Sequence, residues 1–138
     1  MARYLVDKSA FARMPQPAVA ARLGALIEAG DIALCGIVQL EILFSARSAS
    51  DLEAIRRDLA LSLTWIPSAD ADLMRAADVM ALLSRTGAHR SASIPDLLLA
   101  AVAERAGLAI LHYDRDFDAI ARATDQPAEW VVPQGSLP

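Results

Sequence analysis

The sequence predicts an α/β protein with a mostly parallel sheet covered by helices. Short β-like runs alternate with helical patterns along the chain. The helices between strands are long enough for right-handed crossovers, which make neighbouring strands parallel. The 138 residues are 55% apolar and 22% charged, a length and balance that fit a single buried core.

Arg3-Tyr4-Leu5-Val6 is the first strand, ended by Asp7. From Pro17 to Ala29, Val19, Leu23, Leu26 and Ile27 lie on one face of a helix that Gly30 stops. Asp31 to Cys35 is a second strand, separated by Gly36 from a helix over Ile37 to Arg47. Leu52, Ile55 and Leu59 mark the next helix, capped by Ser50 or Asp51. Leu63 to Ile66 is a weak third strand closed by Pro67. Asp70 to Ser84 is helical, with Leu73, Ala77, Met80, Ala81 and Ser84 on one face. The polar stretch Arg85 to Ser93 contains Gly87 and reads as a loop. Pro95 suits the first turn of a helix that runs to Arg105, with Gly107 ending it. Leu108 to His112 is a strand, Phe117 to Ala123 a short helix, and Trp130 to Val132 a last strand before a Pro-Gly tail. No repeat or linker interrupts this order, so residues 1–138 read as one domain.

Composition narrows the function. No apolar run approaches the ~20 residues of a membrane-spanning helix. Met1 to Asp7 reads as a strand and not as a signal segment, so a cytoplasmic protein without membrane contact is expected. Cys35 is the lone cysteine, a small core residue that can form neither an internal disulfide nor a cysteine-based zinc site. A net charge of −4 argues against coating nucleic acid through a global field, yet allows one phosphate to be met locally through a metal ion. The cations are twelve arginines and one lysine, Lys8.

Seventeen acidic residues is an ordinary number, so placement must carry the argument. Asp51, Glu53, Asp70 and Asp72 fall in first helical turns, where carboxylates favour the macrodipole. Four positions are harder to dismiss. Asp7 follows the first strand at its carboxyl end, although a turn-forming aspartate alone accounts for it. Glu41 sits on a helix apolar nearly all round, at about 100° per residue between the directions of Ile37 and Val38. Such a helix is expected to be buried, and a carboxylate there needs a metal or a partner such as Ser45 or Arg47. Asp96 opens a helix whose face continues as the small Ala100 and Ala103, suited to ligand access or to close packing. Asp114 and Asp116 follow the strand ending at His112, with Asp116 the better helix cap and Asp114 the better candidate for chemistry. Strand-end acids of a parallel sheet share one edge, where ligand crevices form. Carboxylates brought within ~4–6 Å repel by several kcal/mol per pair, so protons or a cation must join them. Hard oxygen ligands in this number favour Mg²⁺ or Mn²⁺.

These segments in order resemble the PIN-domain family, and more narrowly the VapC-type toxin ribonucleases of type II toxin–antitoxin systems. The resemblance runs from Tyr4 to about Ala121, with 122–138 left as the final strand and tail. Its four motifs read Leu5-Val6-Asp7-Lys8-Ser9, Leu40-Glu41-Ile42-Leu43-Phe44-Ser45-Ala46-Arg47, Ile94-Pro95-Asp96-Leu97-Leu98-Leu99-Ala100-Ala101, and Leu111-His112-Tyr113-Asp114-Arg115-Asp116-Phe117. One departure is His112, where many relatives carry threonine or serine, which leaves open whether Asp114, Asp116 or both complete the site.

The resemblance implies a three-layer α/β/α sandwich and Mg²⁺-dependent (or Mn²⁺-dependent) hydrolysis of RNA phosphodiesters. It implies Asp7, Asp96 and Asp114, with Asp116, around the metal, Glu41 orienting or deprotonating the water, and the Ser9 hydroxyl orienting Asp7. Arg85 and Arg90, in the loop before Asp96, read either as RNA phosphate contacts or as solvated arginines. A cognate antitoxin and a homodimer are the implied partners. Three other readings compete: a catalytically silent protein-binding module, a nuclease acting on DNA or structured nucleic acid, and a response-regulator receiver. The receiver fits poorly, because its lysine belongs after a late strand and the one lysine here follows the first.

Overall fold

The computed structural model describes residues 1–138. Its elements run β1 (Tyr4–Val6), α1 (Lys8–Phe11), α2 (Pro17–Glu28), β2 (Ile32–Cys35), α3 (Gly36–Phe44), α4 (Ala49–Ser62), β3 (Thr64–Ile66), α5 (Asp70–Ser84), α6 (Ile94–Ala106), β4 (Ala109–His112), α7 (Phe117–Thr124) and β5 (Ala128–Trp130). All five strands are parallel, in the order β3-β2-β1-β4-β5. Leu5 lies between Ala33 of β2 and Ile110 of β4. Consecutive residues of β1, β2 and β4 are buried, as expected when helices cover both faces of a sheet. This is the α/β/α sandwich expected. No helix is long and apolar enough to cross a membrane.

The topology selects the place for a site. From β1 the chain winds outward through β2 and β3, then returns to lay β4 on the other flank of β1. Strand order therefore reverses between β1 and β4, and crevices open at the carboxyl ends of strands at such a switch point. Asp7 and Asp114 emerge there.

Some local expectations shift. A helical turn, α1, occupies Lys8–Phe11 where the sequence showed no periodicity. The cap of α4 is Ser48, whose hydroxyl accepts from the Asp51 N–H, and not Ser50 or Asp51. The last strand runs from Ala128 to Trp130 and not from Trp130 to Val132; the Val131 N–H still donates to the His112 carbonyl, and Arg22 takes the Trp130 and Val131 carbonyls beyond it. Helix α3 is not buried all round: Val38 and Ile42 face the core, while Phe44 is 90% exposed and Leu40 also lies open. Cys35 is in the core as expected, and burial pushes its thiol up to about 11.

Asp72 does more than favour the dipole of α5. It is 1% exposed and takes two hydrogen bonds from Arg105 at the end of α6, Nε to Oδ1 at 2.8 Å and Nη2 to Oδ2 at 3.0 Å. Its Oδ2 also accepts from the Ala69 N–H. The Arg105 hydrogen bonds hold its carboxyl below the ordinary range, so this stabilisation is present at neutral pH and lost in acid. Arg105→Ala is expected to lower the melting temperature by several degrees, because it leaves a buried carboxylate unpaired. In thermal denaturation, Arg105→Ala combined with Asp72→Asn should cost less than the sum of the two; strict additivity would show that the pair does not couple.

Candidate functional site

Each acid reaches the crevice from a different element. Asp7 leaves β1 with its N–H donating to the Leu111 carbonyl of β4. Its Oδ2 accepts from the Ser9 N–H at 2.9 Å, capping α1. Asp96 stands in the first turn of α6, its N–H bonded to the hydroxyl of the cap residue Ser93. Asp114 follows β4, and its Oδ1 accepts from the Asp116 N–H at 2.9 Å.

Carboxylate oxygens of Asp96, Asp114 and Asp116 lie within 4.8 Å of one another. Asp96 is 7% exposed, and burial pushes its carboxyl up to about 7, reinforced by the charges of Asp7, Asp114 and Glu41 against the opposing Ser93 hydroxyl. Glu41 is also pushed above its ordinary value, first by burial and then by Asp7, with Lys8 acting the other way. These shifts place Asp7 and Glu41 within electrostatic reach of the three-carboxylate group. An all-oxygen donor set, buried on one side and electrostatically strained when charged, fits a hard divalent cation. Asp96, Asp114 and Asp116 would hold it, with Asp7 beside them.

The β4–α7 turn is fixed by side-chain acceptors. The Ser9 hydroxyl accepts from the Tyr113 N–H at 2.8 Å, and His112 Nδ1 accepts from the Asp114 N–H at 3.1 Å. His112 is 1% exposed, its ring 4.9 Å from those of Phe117 and Trp130. Burial holds it below the ordinary histidine value, which keeps Nδ1 free to accept. The imidazole thus supplies an acceptor at the position that departs from the family pattern.

Three sequence expectations need correction. Ser9 meets Asp7 through its backbone N–H, whereas its hydroxyl ties α1 to the turn after β4. Asp116 stands at the start of α7 but makes no cap hydrogen bond, which frees its carboxylate for the cluster with Asp114. Neither proposed partner holds Glu41: the Ser45 hydroxyl donates to the Ile42 carbonyl, and no arginine forms an ion pair with the glutamate. Arg85 lines a separate groove with Arg122, between the end of α5 and α7, and Arg90 is exposed in its loop. The structure brings neither into hydrogen-bond contact with the acids. Sequence reasoning passed over Arg13, whose Nη1 donates to the Ser9 carbonyl at 2.7 Å and whose guanidinium carbon stands 4.8 Å from the centre of the Tyr113 ring. The signal was the four-residue spacing from Ser9 to Arg13, legible once α1 is known to be helical.

Comparisons with known proteins agree with this architecture. The PIN domain matches residues 4–123. Ribonuclease VapC21 of Mycobacterium tuberculosis is 47% identical over 137 residues, which is 97% of either chain. Ribonuclease VapC18 of the same species is 41% identical over 136 residues, covering 97% of this chain and 98% of that one. Among solved structures, the DNA-bound VapBC of Salmonella typhimurium aligns with a TM-score of 0.75 over 96% of this chain and 100% of its own. At 14% identity that likeness speaks for the fold. With the domain matched over residues 4–123 and relatives at 41–47% identity aligned over 97% of the chain, the chain belongs to the PIN-domain family, in its VapC group.

Proposed function

We propose that this protein is a metal-dependent endoribonuclease, the toxin of a toxin–antitoxin pair, with residues 1–138 acting as one catalytic domain in the cytoplasm. The observation that carries the reading is the group of Asp96, Asp114 and Asp116 carboxylates within 4.8 Å at the strand-order switch, in a chain 47% identical to a VapC ribonuclease. Bound Mg²⁺ or Mn²⁺ would supply Lewis-acid polarisation of the scissile phosphate and ease deprotonation of the attacking water. Asp7, Asp96, Asp114 and Asp116 provide the negative charge that retains the cation. Glu41 accepts the proton of the water, a task favoured by a carboxyl that burial and Asp7 raise above its ordinary value. His112 and Ser9 hold the backbone of the β4–α7 turn so that Asp114 and Asp116 face Asp96. The cognate antitoxin covers the acidic crevice and withholds it from RNA.

The test is incubation of antitoxin-free protein with a mixed RNA pool and Mg²⁺ or Mn²⁺, with a chelator as control. Cleavage that stops with chelator supports the reading. Folded protein that cleaves no RNA with either metal would instead favour a protein-binding module.

The expected homodimer would form on an apolar face. A groove of about 520 Å³ between α5 and α6 is lined by Leu73, Met80, Ile94 and Leu97, among ten residues that include no Asp, Glu, Lys or Arg. Leu73 is 57% exposed, and Met74 and Ile94 are also open. Apolar patches of this kind mark interaction sites, and a lining without Asp, Glu, Lys or Arg offers no salt bridge to a charged partner, which suits a second copy. Leu73→Glu is expected to convert the dimer to a monomer in light scattering. A parent protein already monomeric, or a variant still dimeric, would overturn the assignment.

A further inference from the structure

We infer that Arg13 is a substrate-binding residue of the carboxylate site, a fixed guanidinium that takes a phosphate of the RNA backbone beside the cleavage centre. The inference rests on the ribonuclease reading and adds a residue that none of the four acidic motifs contains.

Arg13 is held by the same two segments that hold the acids. Its Nη1 donates to the carbonyl of Ser9, whose own N–H donates to the Asp7 carboxylate. Its guanidinium lies over Tyr113, the residue between His112 and Asp114. Ser9 and Tyr113 are themselves joined through the Ser9 hydroxyl. Arg13 is therefore built into the junction of β1 and β4 exits, where the strand order reverses.

Its charge is not otherwise used. The four ion pairs of the fold belong to Arg3, Arg22, Arg75 and Arg105. Arg13 has no carboxylate partner, and its Nε and Nη2 make no hydrogen bond within the protein. A half-buried cation with one edge anchored and the other unspent is ready to bind an anion. The need for one is electrostatic. A phosphodiester approaching Asp7, Glu41, Asp96, Asp114 and Asp116 meets strong repulsion, and a chain of net charge −4 offers no general attraction to offset it. The planar fork suits phosphate oxygens, and stacking on Tyr113 limits the rotamer freedom that binding would cost.

A purely structural role would be to close α1 and cover Tyr113. Arg13→Gln keeps a donor for the Ser9 carbonyl and removes the charge, while Arg13→Lys keeps the charge and loses the fork. Binding is read by fluorescence anisotropy with a labelled single-stranded RNA of mixed sequence, in an Asp96→Asn background that prevents turnover, across a range of salt. Arg13→Gln is expected to weaken binding about three- to tenfold at low salt and to reduce the slope of log K against log salt by about 0.7, the share of one phosphate contact. Arg13→Lys should recover most of that slope. With Asp96 intact, KM should rise more than kcat falls. An unchanged salt slope in a folded Arg13→Gln protein would assign Arg13 to structure alone. An Arg13→Gln protein that fails to fold leaves the decision to Arg13→Lys: a slope reduced as far as a lost contact would overturn the phosphate role, and a retained slope with raised KM would support it. Failure of the parent to bind or cleave RNA at any salt is a different result, which removes the ribonuclease reading and this inference with it.

Discussion

Asp96→Asn is expected to cut RNA cleavage by at least about 100-fold while leaving the fold intact. Asparagine matches aspartate in size, and the backbone hydrogen bond from residue 96 to Ser93 does not depend on the side chain. What disappears is the negative charge at the centre of the cluster, where Asp96 lies within 4.8 Å of Asp114 and Asp116 and feels Asp7 most strongly among its charged neighbours. The same substitution at Asp72 supplies the contrast. Asp72 is bonded to Arg105 and takes no part in the crevice, so Asp72→Asn should reduce stability and leave the turnover of folded protein nearly unchanged. Asp96→Asn should do the reverse. Cleavage assays and melting curves on the two variants check both halves. Activity that survives Asp96→Asn would place the reaction at another site or in a contaminating nuclease.

The acids of the proposed site were legible because their positions follow from local pattern and topology together. Asp7 and Asp114 each follow an apolar run, and in a parallel sheet the ends of such runs share an edge. Asp96 was legible from Pro95 and the apolar helix behind it. What could not be read was partner choice across the chain. Ser9 and Tyr113 are 104 positions apart, so nothing near Ser9 in sequence reveals that its hydroxyl serves β4. Asp116 looked like a cap because it precedes Phe117, yet the α-region backbone at this position leaves its side chain unused by α7. Asp72 passed as a dipole residue because its hydrogen-bond partner, Arg105, comes 33 positions later. Helix α3 read as buried from its composition, and the exposure of Leu40 and Phe44 shows that apolar content does not tell which side meets the core.

The cluster also sets an unusual pH dependence for the metal-free protein. A carboxyl raised to about 7 in the folded state still binds its proton at pH values where the unfolded chain has released it. Folding is therefore linked to proton uptake between the ordinary carboxylate range and about pH 7, and the contribution of Asp96 to stability falls as pH rises through that window. Glu41, also raised, acts in the same direction. His112 opposes them below the ordinary histidine value, because its lowered pKa makes folding favour the unprotonated ring. Subtracting Asp96→Asn from the parent isolates the aspartate. The variant should gain on the parent steadily between about pH 4 and 7 and hold its advantage above, by up to about 4 kcal/mol from three pH units at about 1.4 kcal/mol each. Mg²⁺ or Mn²⁺ should reverse the trend for the parent, since a cation binds the ionised cluster in the folded state and protons compete with it. Chelator-treated protein followed by thermal denaturation is then expected to gain more from Mg²⁺ at pH 8 than at pH 5, with most of the gain lost in Asp96→Asn. A parent–variant difference independent of pH, or a metal effect equal at both values, would mean that Asp96 is not held as a strained acid and that the cluster is not what the cation binds.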